Sequence, residues 1–153
     1  MEYHEILRAV RERSPLVQCI TNFVTVNDCA NILLAAGASP TMAQDIREVE
    51  EAVAGANGLV CNLGAIDLVD SMILAGKRAN ELGIPVVLDP VAAGGTTLRR
   101  RLSARLLGKS VSLPFGATPR KFGRWPDTRA LAAAWMWPHG MPLPKKTYRN
   151  LWR

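Results

Sequence analysis

The period of apolar and polar positions changes repeatedly along the first hundred residues, and each change predicts an element. In residues 2–13, Ile6, Leu7 and Val10 share one face among charges, which predicts an amphipathic helix ended by Ser14-Pro15. Leu16-Val17-Gln18-Cys19-Ile20 predicts a first strand, which stops at Thr21-Asn22; these short polar side chains suit either a helix cap or a ligand contact. Residues 26–36 keep helical spacing through Cys29, Ile32, Leu33 and Ala36, and Gly37 is the stop. Residues 38–42 predict a short second strand or extended segment, and 45–54 a helix with acids in its first turn. A buried strand over 58–64 ends in Asn62-Leu63-Gly64. A long helix over 67–82 is closed by Gly83, the apolar run 85–88 is a fourth strand, and 99–107 fits one more helix.

Strands that alternate with helices of this length predict βαβ units: an α/β fold with a mainly parallel sheet, right-handed crossovers and helices on both faces. The fourth strand delivers Asp89 to the tight stretch Pro90-Val91-Ala92-Ala93-Gly94-Gly95-Thr96. In open α/β sheets the ligand crevice lies beyond the carboxyl ends of the strands, so Asp89 is expected there. One carboxylate at that place suits Mg²⁺, and the Gly-Gly-Thr backbone suits phosphate oxygens. Taken in isolation, an Asp-Pro pair is more often a turn or a helix cap.

Composition narrows the class. At 153 residues the chain fits one domain, although several α/β enzyme folds need more. With 48% hydrophobic and 21% charged residues it reads as a soluble globular protein, and no apolar run reaches the roughly 18 residues of a membrane span. The charged first fourteen residues lack a signal peptide, so a cytoplasmic location is expected. Cys19, Cys29 and Cys61 have neither metal-ligand spacing nor an even count, which predicts reduced thiols in a core; His4 and His139 are too isolated to suggest a metal site.

The net charge of +6 suggests nucleic acid until its distribution is read. Residues 1–113 hold 11 Lys/Arg against 12 Asp/Glu, whereas 114–153 hold 8 Lys/Arg and only Asp127, a net +7. All four tryptophans and six of the ten prolines also lie in 114–153. Two compositions are joined near residue 113.

Five motifs in order over residues 1–113 resemble the hydroxyethylthiazole kinase family of thiamine biosynthesis and salvage. They are Pro15-Leu16-Val17-Gln18-Cys19-Ile20-Thr21-Asn22, Gly37-Ala38-Ser39-Pro40-Thr41-Met42-Ala43, Asn62-Leu63-Gly64, Ala75-Gly76-Lys77 and Leu88-Asp89-Pro90-Val91-Ala92-Ala93-Gly94. The resemblance implies a ribokinase-like fold, a homotrimer with sites at subunit interfaces, and Mg²⁺-dependent transfer of the ATP phosphate to the hydroxyl of 4-methyl-5-(2-hydroxyethyl)thiazole. It places Met42 and Asn22 at the thiazole pocket, Gly64 on the substrate side, Gly94 on the nucleotide side and Asp89 at Mg²⁺. A methionine thioether suits a sulfur heteroaromatic ring, although such a residue is ordinarily core. Gly108-Lys109-Ser110 resembles the end of a P-loop but is discarded, because position 103 is Ser where that motif needs Gly. The related pyrimidine kinases of the same pathway match Ile20-Thr21-Asn22 and Ser39-Pro40-Thr41-Met42 less well.

The resemblance stops near Leu113, where the family continues with a strand leading to Arg-Gly-Asn, whose arginine binds ATP. Codons compatible with residues 115–126, read from one base earlier, spell Ile-Arg-Gly-Asn-Ala-Ser-Glu-Ile-Arg-Ala-Leu-Ala, the missing segment. Residues 1–113 are therefore expected to be the N-terminal part of a kinase domain, and 114–153 a basic Trp/Pro-rich tail produced by a shift of reading frame and poorly structured. The family's catalytic cysteine, in a Thr-Gly-Ala-Gly-Cys loop, belongs to the lost frame, and none of Cys19, Cys29 or Cys61 has such a loop around it. No catalytic residue is assigned, and impaired catalysis is expected. The alternatives are a non-catalytic remnant and a protein that binds nucleic acid through its basic tail.

Overall fold

A computed structural model describes residues 3–110. Expectations for the tail, His139 and the frame change fall outside the described residues. Within them the elements run α1 (Tyr3–Arg13), β1 (Leu16–Ile20), α2 (Val26–Ala36), β2 (Ser39–Thr41), α3 (Val49–Ala54), β3 (Gly58–Asn62), α4 (Val69–Glu81), β4 (Val86–Asp89) and α5 (Thr97–Ser110), with one 3₁₀ turn at Ile66–Leu68. The four strands are all parallel, in the order β2-β1-β3-β4.

That order follows from the connections. The chain leaves β1 toward one edge to reach β2, then crosses back over β1 to β3 and continues the same way to β4. With right-handed crossovers, α2 covers one face, and α3 and α4 the other. Side-chain alternation agrees. Ile20, Leu59, Cys61, Val86 and Leu88 point into a core closed by Val49 and Val53 of α3, Met72, Ala75 and Ala79 of α4, and Leu106 of α5. Cys19, on the opposite face of β1, lies near Cys29 of α2. Helix α2 ends where Gly37 takes φ +96, and the Gly37 and Ala38 N–H groups donate to Leu34 and Leu33 carbonyls, satisfying the last turn. A side chain at Gly37 would also strike Arg11 of α1, its Cβ lying 2.6 Å from Arg11 Cγ.

Three helices start elsewhere than expected, and the strand placed over 58–64 stops at Asn62. The helix placed over 45–54 begins only at Val49, because the Asp45 carboxylate accepts the Arg47 N–H at 2.9 Å and its guanidinium Nη2 at 2.6 Å, a local turn that competes with helix. The helix placed over 67–82 is a 3₁₀ turn followed by α4 from Val69 to Glu81. The last helix starts two residues earlier than expected, at Thr97, because the Thr96 hydroxyl accepts the Arg99 N–H at 3.1 Å and caps it.

Candidate functional site

The strand order reverses between β1 and β3, and a doubly wound sheet opens a crevice beyond the carboxyl ends of its strands at such a point. Asn22 follows β1, Asn62 ends β3 and Asp89 ends β4, so three polar side chains meet at this crevice. Asn22 Oδ1 accepts the N–H groups of Val24 (3.0 Å) and Thr25 (3.2 Å), and its Nδ2 faces Asn62 Oδ1 at 3.5 Å. Asn62 Oδ1 also accepts the Gly64 N–H at 2.7 Å, while its Nδ2 faces Asp89 Oδ2 at 3.4 Å. Strand register sets the last pair side by side, since Asn62 is the Cα partner of Asp89.

Gly64 is needed for this contact. A Cβ there would lie 2.6 Å from Asn22 Nδ2 and 2.7 Å from Asn62 Oδ1, closer than side chains approach one another. Its smallness makes room for the asparagines that face the crevice.

Met42, half-buried, follows β2 in a loop tied to β1 twice. Gln18 Nε2 donates to the Ala43 carbonyl, and Gln44 Nε2 to the Thr21 carbonyl at 3.0 Å. Gln18 is fully buried, and its Oε1 finds no partner among the described residues. A buried amide is thus spent on holding the segment that carries Met42.

The loop after β4 is held from α5. Three arginines, Arg99, Arg100 and Arg101, occupy the first turns of that helix, the end where the macrodipole disfavours cations. Two of them are turned onto backbone carbonyls. Arg99 Nη1 donates to Leu63 (3.0 Å) and Val91 (3.1 Å), bridging the loops after β3 and β4, and Arg100 Nη1 donates to Gly94 at 3.1 Å. The Gly94 carbonyl is thereby occupied. The left-handed residue of this loop is Ala92, at φ +52, rather than one of the glycines.

Asn62, Arg99 and Gln18 are the site residues that sequence reasoning did not single out. Asn62 carried a signal, a carboxamide closing a buried strand with glycine two positions on; Arg99 and Gln18 carried none, because their partners are carbonyls at positions 43, 63 and 91. Burial pushes the Cys19 thiol up to about 11 and the neighbouring Cys61 thiol up to about 12, so neither is an ionised nucleophile at neutral pH. The expectation of buried thiols holds for these two; Cys29 is half-buried.

Fold and crevice together define a doubly wound α/β protein with a polar site at its topological switch point. The model of the hydroxyethylthiazole kinase family matches residues 7–113, and the chain belongs to that family. It is 55% identical over 109 residues to a hydroxyethylthiazole kinase of Desulfovibrio desulfuricans, covering 70% of this chain and 38% of that protein. Its identity to the protein of the same name from Methanocella arvoryzae is 57% over 106 residues, covering 68% and 40%. The solved hydroxyethylthiazole kinase from Pyrococcus horikoshii superposes with a TM-score of 0.67 at 51% identity, covering 70% of this chain and 43% of that one. The architecture is accordingly ribokinase-like. The chain spans about two fifths of the length of the curated relatives it matches.

Proposed function

We propose that residues 1–113 are the thiazole-side part of a kinase that transfers the γ-phosphoryl group of ATP to the hydroxyl of 4-methyl-5-(2-hydroxyethyl)thiazole, a step of thiamine biosynthesis. The observation that carries this reading is the meeting of Asn22, Asn62 and Asp89 at the switch point of a fold whose relatives bear that name. The substrate hydroxyl oxygen forms the new bond to phosphorus, the bond to the β–γ bridging oxygen breaks, ADP leaves and the hydroxyl proton is lost. Such a reaction is served mainly by positioning and by stabilising transferred charge. In this chain Met42 packs the thiazole ring, Asn22 and the Gly64 turn shape the pocket wall, and Gly94 lines the nucleotide side.

The donors suit Mg²⁺ carried with a nucleotide better than a dedicated metal cage. Among the described residues no group of three or more His, Cys, Asp or Glu converges, and Mg²⁺ commonly takes one or two carboxylates with water and phosphate oxygens completing its shell. Asp89 is the carboxylate we assign to it. When bound, the ion neutralises charge developing on the phosphate oxygens.

We further propose that 114–153 is read in a shifted frame, so that the 153-residue chain lacks the ATP-binding arginine and has little or no turnover. The abrupt change to net +7, and the family segment spelled one base away, support this. A homotrimer is proposed on the exposed apolar residues Phe23 and Val24, 90% and 71% accessible beside the crevice, together with Ile32 on α2. We propose a cytoplasmic location; among the described residues no helix is long and apolar enough to cross a membrane.

The test uses the chain with its frame restored, ATP and Mg²⁺. Mass spectrometry should find the thiazole alcohol heavier by one phosphoryl group. A phosphorylated hydroxymethylpyrimidine with unmodified thiazole would contradict the reading. Met42→Ala should raise the thiazole KM by about tenfold with little change in kcat, because it removes binding common to ground and transition states.

A further inference from the structure

We propose that Asn62 is a positioning residue that sets the carboxylate of Asp89, at the end of a one-way run of amide hydrogen bonds beginning in the turn after β1. The direction of the run is fixed by backbone. Val24 and Thr25 offer N–H groups to Asn22, which must present Oδ1 to them and Nδ2 to Asn62. The Gly64 N–H at 2.7 Å in turn holds Asn62 Oδ1, leaving Nδ2 for Asp89 Oδ2. A backbone N–H cannot accept, so neither carboxamide can turn over without setting donor against donor. The run requires an acceptor at its far end, and Asp89 Oδ2 is one.

A packing role explains Asn62 poorly. Asparagine is disfavoured in strands, and an apolar residue at this half-buried place would complete β3 as well. The outer two contacts, at 3.5 and 3.4 Å, are long, as hydrogen bonds in ligand-free sites often are before the complex tightens them. The proposal rests on Asp89 as the carboxylate that meets the Mg²⁺-nucleotide, so its test reads the Asp89 side chain without requiring turnover.

Asn62→Asp separates the two halves of the role. It keeps an acceptor for the Gly64 N–H and for Asn22 but replaces the donor to Asp89 by a second oxygen. In the full 153-residue chain labelled with ¹³C and ¹⁵N, three-bond couplings from Asp89 Cγ to its own N and C′ should report one χ1 rotamer in the wild type. In Asn62→Asp those couplings should change, while the Gly64 amide exchanges within about threefold of wild type. In Asn62→Leu both should change, with Gly64 exchange faster by about tenfold. Asp89→Ala tests the run from its other end and should shift the Asn62 side-chain amide signals. Asp89 couplings unchanged in Asn62→Asp, or Asn62 amide signals unmoved by Asp89→Ala, would overturn the proposal. Failure of the frame-restored chain to phosphorylate the thiazole would remove the functional reading and leave this coupling standing.

Discussion

At the scale of residues, the crevice is made by side chains whose value lies in what they accept or donate. Gly64 is the tightest case. Adding a methyl group forces Asn22 and Asn62 apart, and overpacking of this kind costs about 1–3 kcal/mol. Gly64→Ala should therefore lower the urea midpoint of unfolding with an unchanged m-value, and unchanged stability would contradict the close approach. The thiols give a second prediction. Folding raises Cys19 and Cys61 from 9.0 to about 11 and about 12, so the folded state holds their protons more tightly than the unfolded chain does. Their contribution is complete below pH 9 and is lost as pH rises through those folded values. Unfolding free energy should accordingly fall between pH 9 and 11, beyond the loss seen in a Cys19→Ala/Cys61→Ala variant. Alkylation at neutral pH should reach Cys29 first.

At the scale of elements, α5 does two things along one face, two turns apart. Its buried Leu106 closes the core, so Leu106→Ala should cost about 2–5 kcal/mol in denaturant unfolding. Its Arg99 joins two site loops, and Arg99→Met leaves the Leu63 and Val91 carbonyls to water or without a donor. That change should lose about 1–3 kcal/mol, and amide exchange should quicken in the loops after β3 and β4 while the core strands stay protected. Uniform loosening would argue against a local staple. Elements of this kind divide what was legible in the chain from what was not. Strand β1, helix α2 and the closing glycine of α4 followed from periodicity and punctuation. The start of α3 did not, because Asp45 finds a closer partner in Arg47 than in a helix. Neither the side of the sheet that each helix covers nor the Asn22–Asn62–Asp89 meeting is written in local pattern; both come from strand order, which brings residues 22, 62 and 89 together.

At the scale of the molecule, the described part has a coherent core, a polar crevice at the switch point and an edge strand, β4, followed by α5, just beyond which the family match ends. We propose that this is the thiazole side of a kinase site, with Asp89 and Gly94 toward the nucleotide, whose ATP-binding arginine is encoded in the neighbouring frame. Steady-state ADP release, with and without hydroxyethylthiazole, tests it most directly on three proteins: the 153-residue chain, the chain with its frame restored near codon 113, and the restored chain carrying Asp89→Ala. We predict thiazole-dependent release from the restored chain alone, with Asp89→Ala lowering kcat by about a hundredfold or more. Thiazole-dependent release from the 153-residue chain, or a restored chain indifferent to Asp89→Ala, would contradict the account.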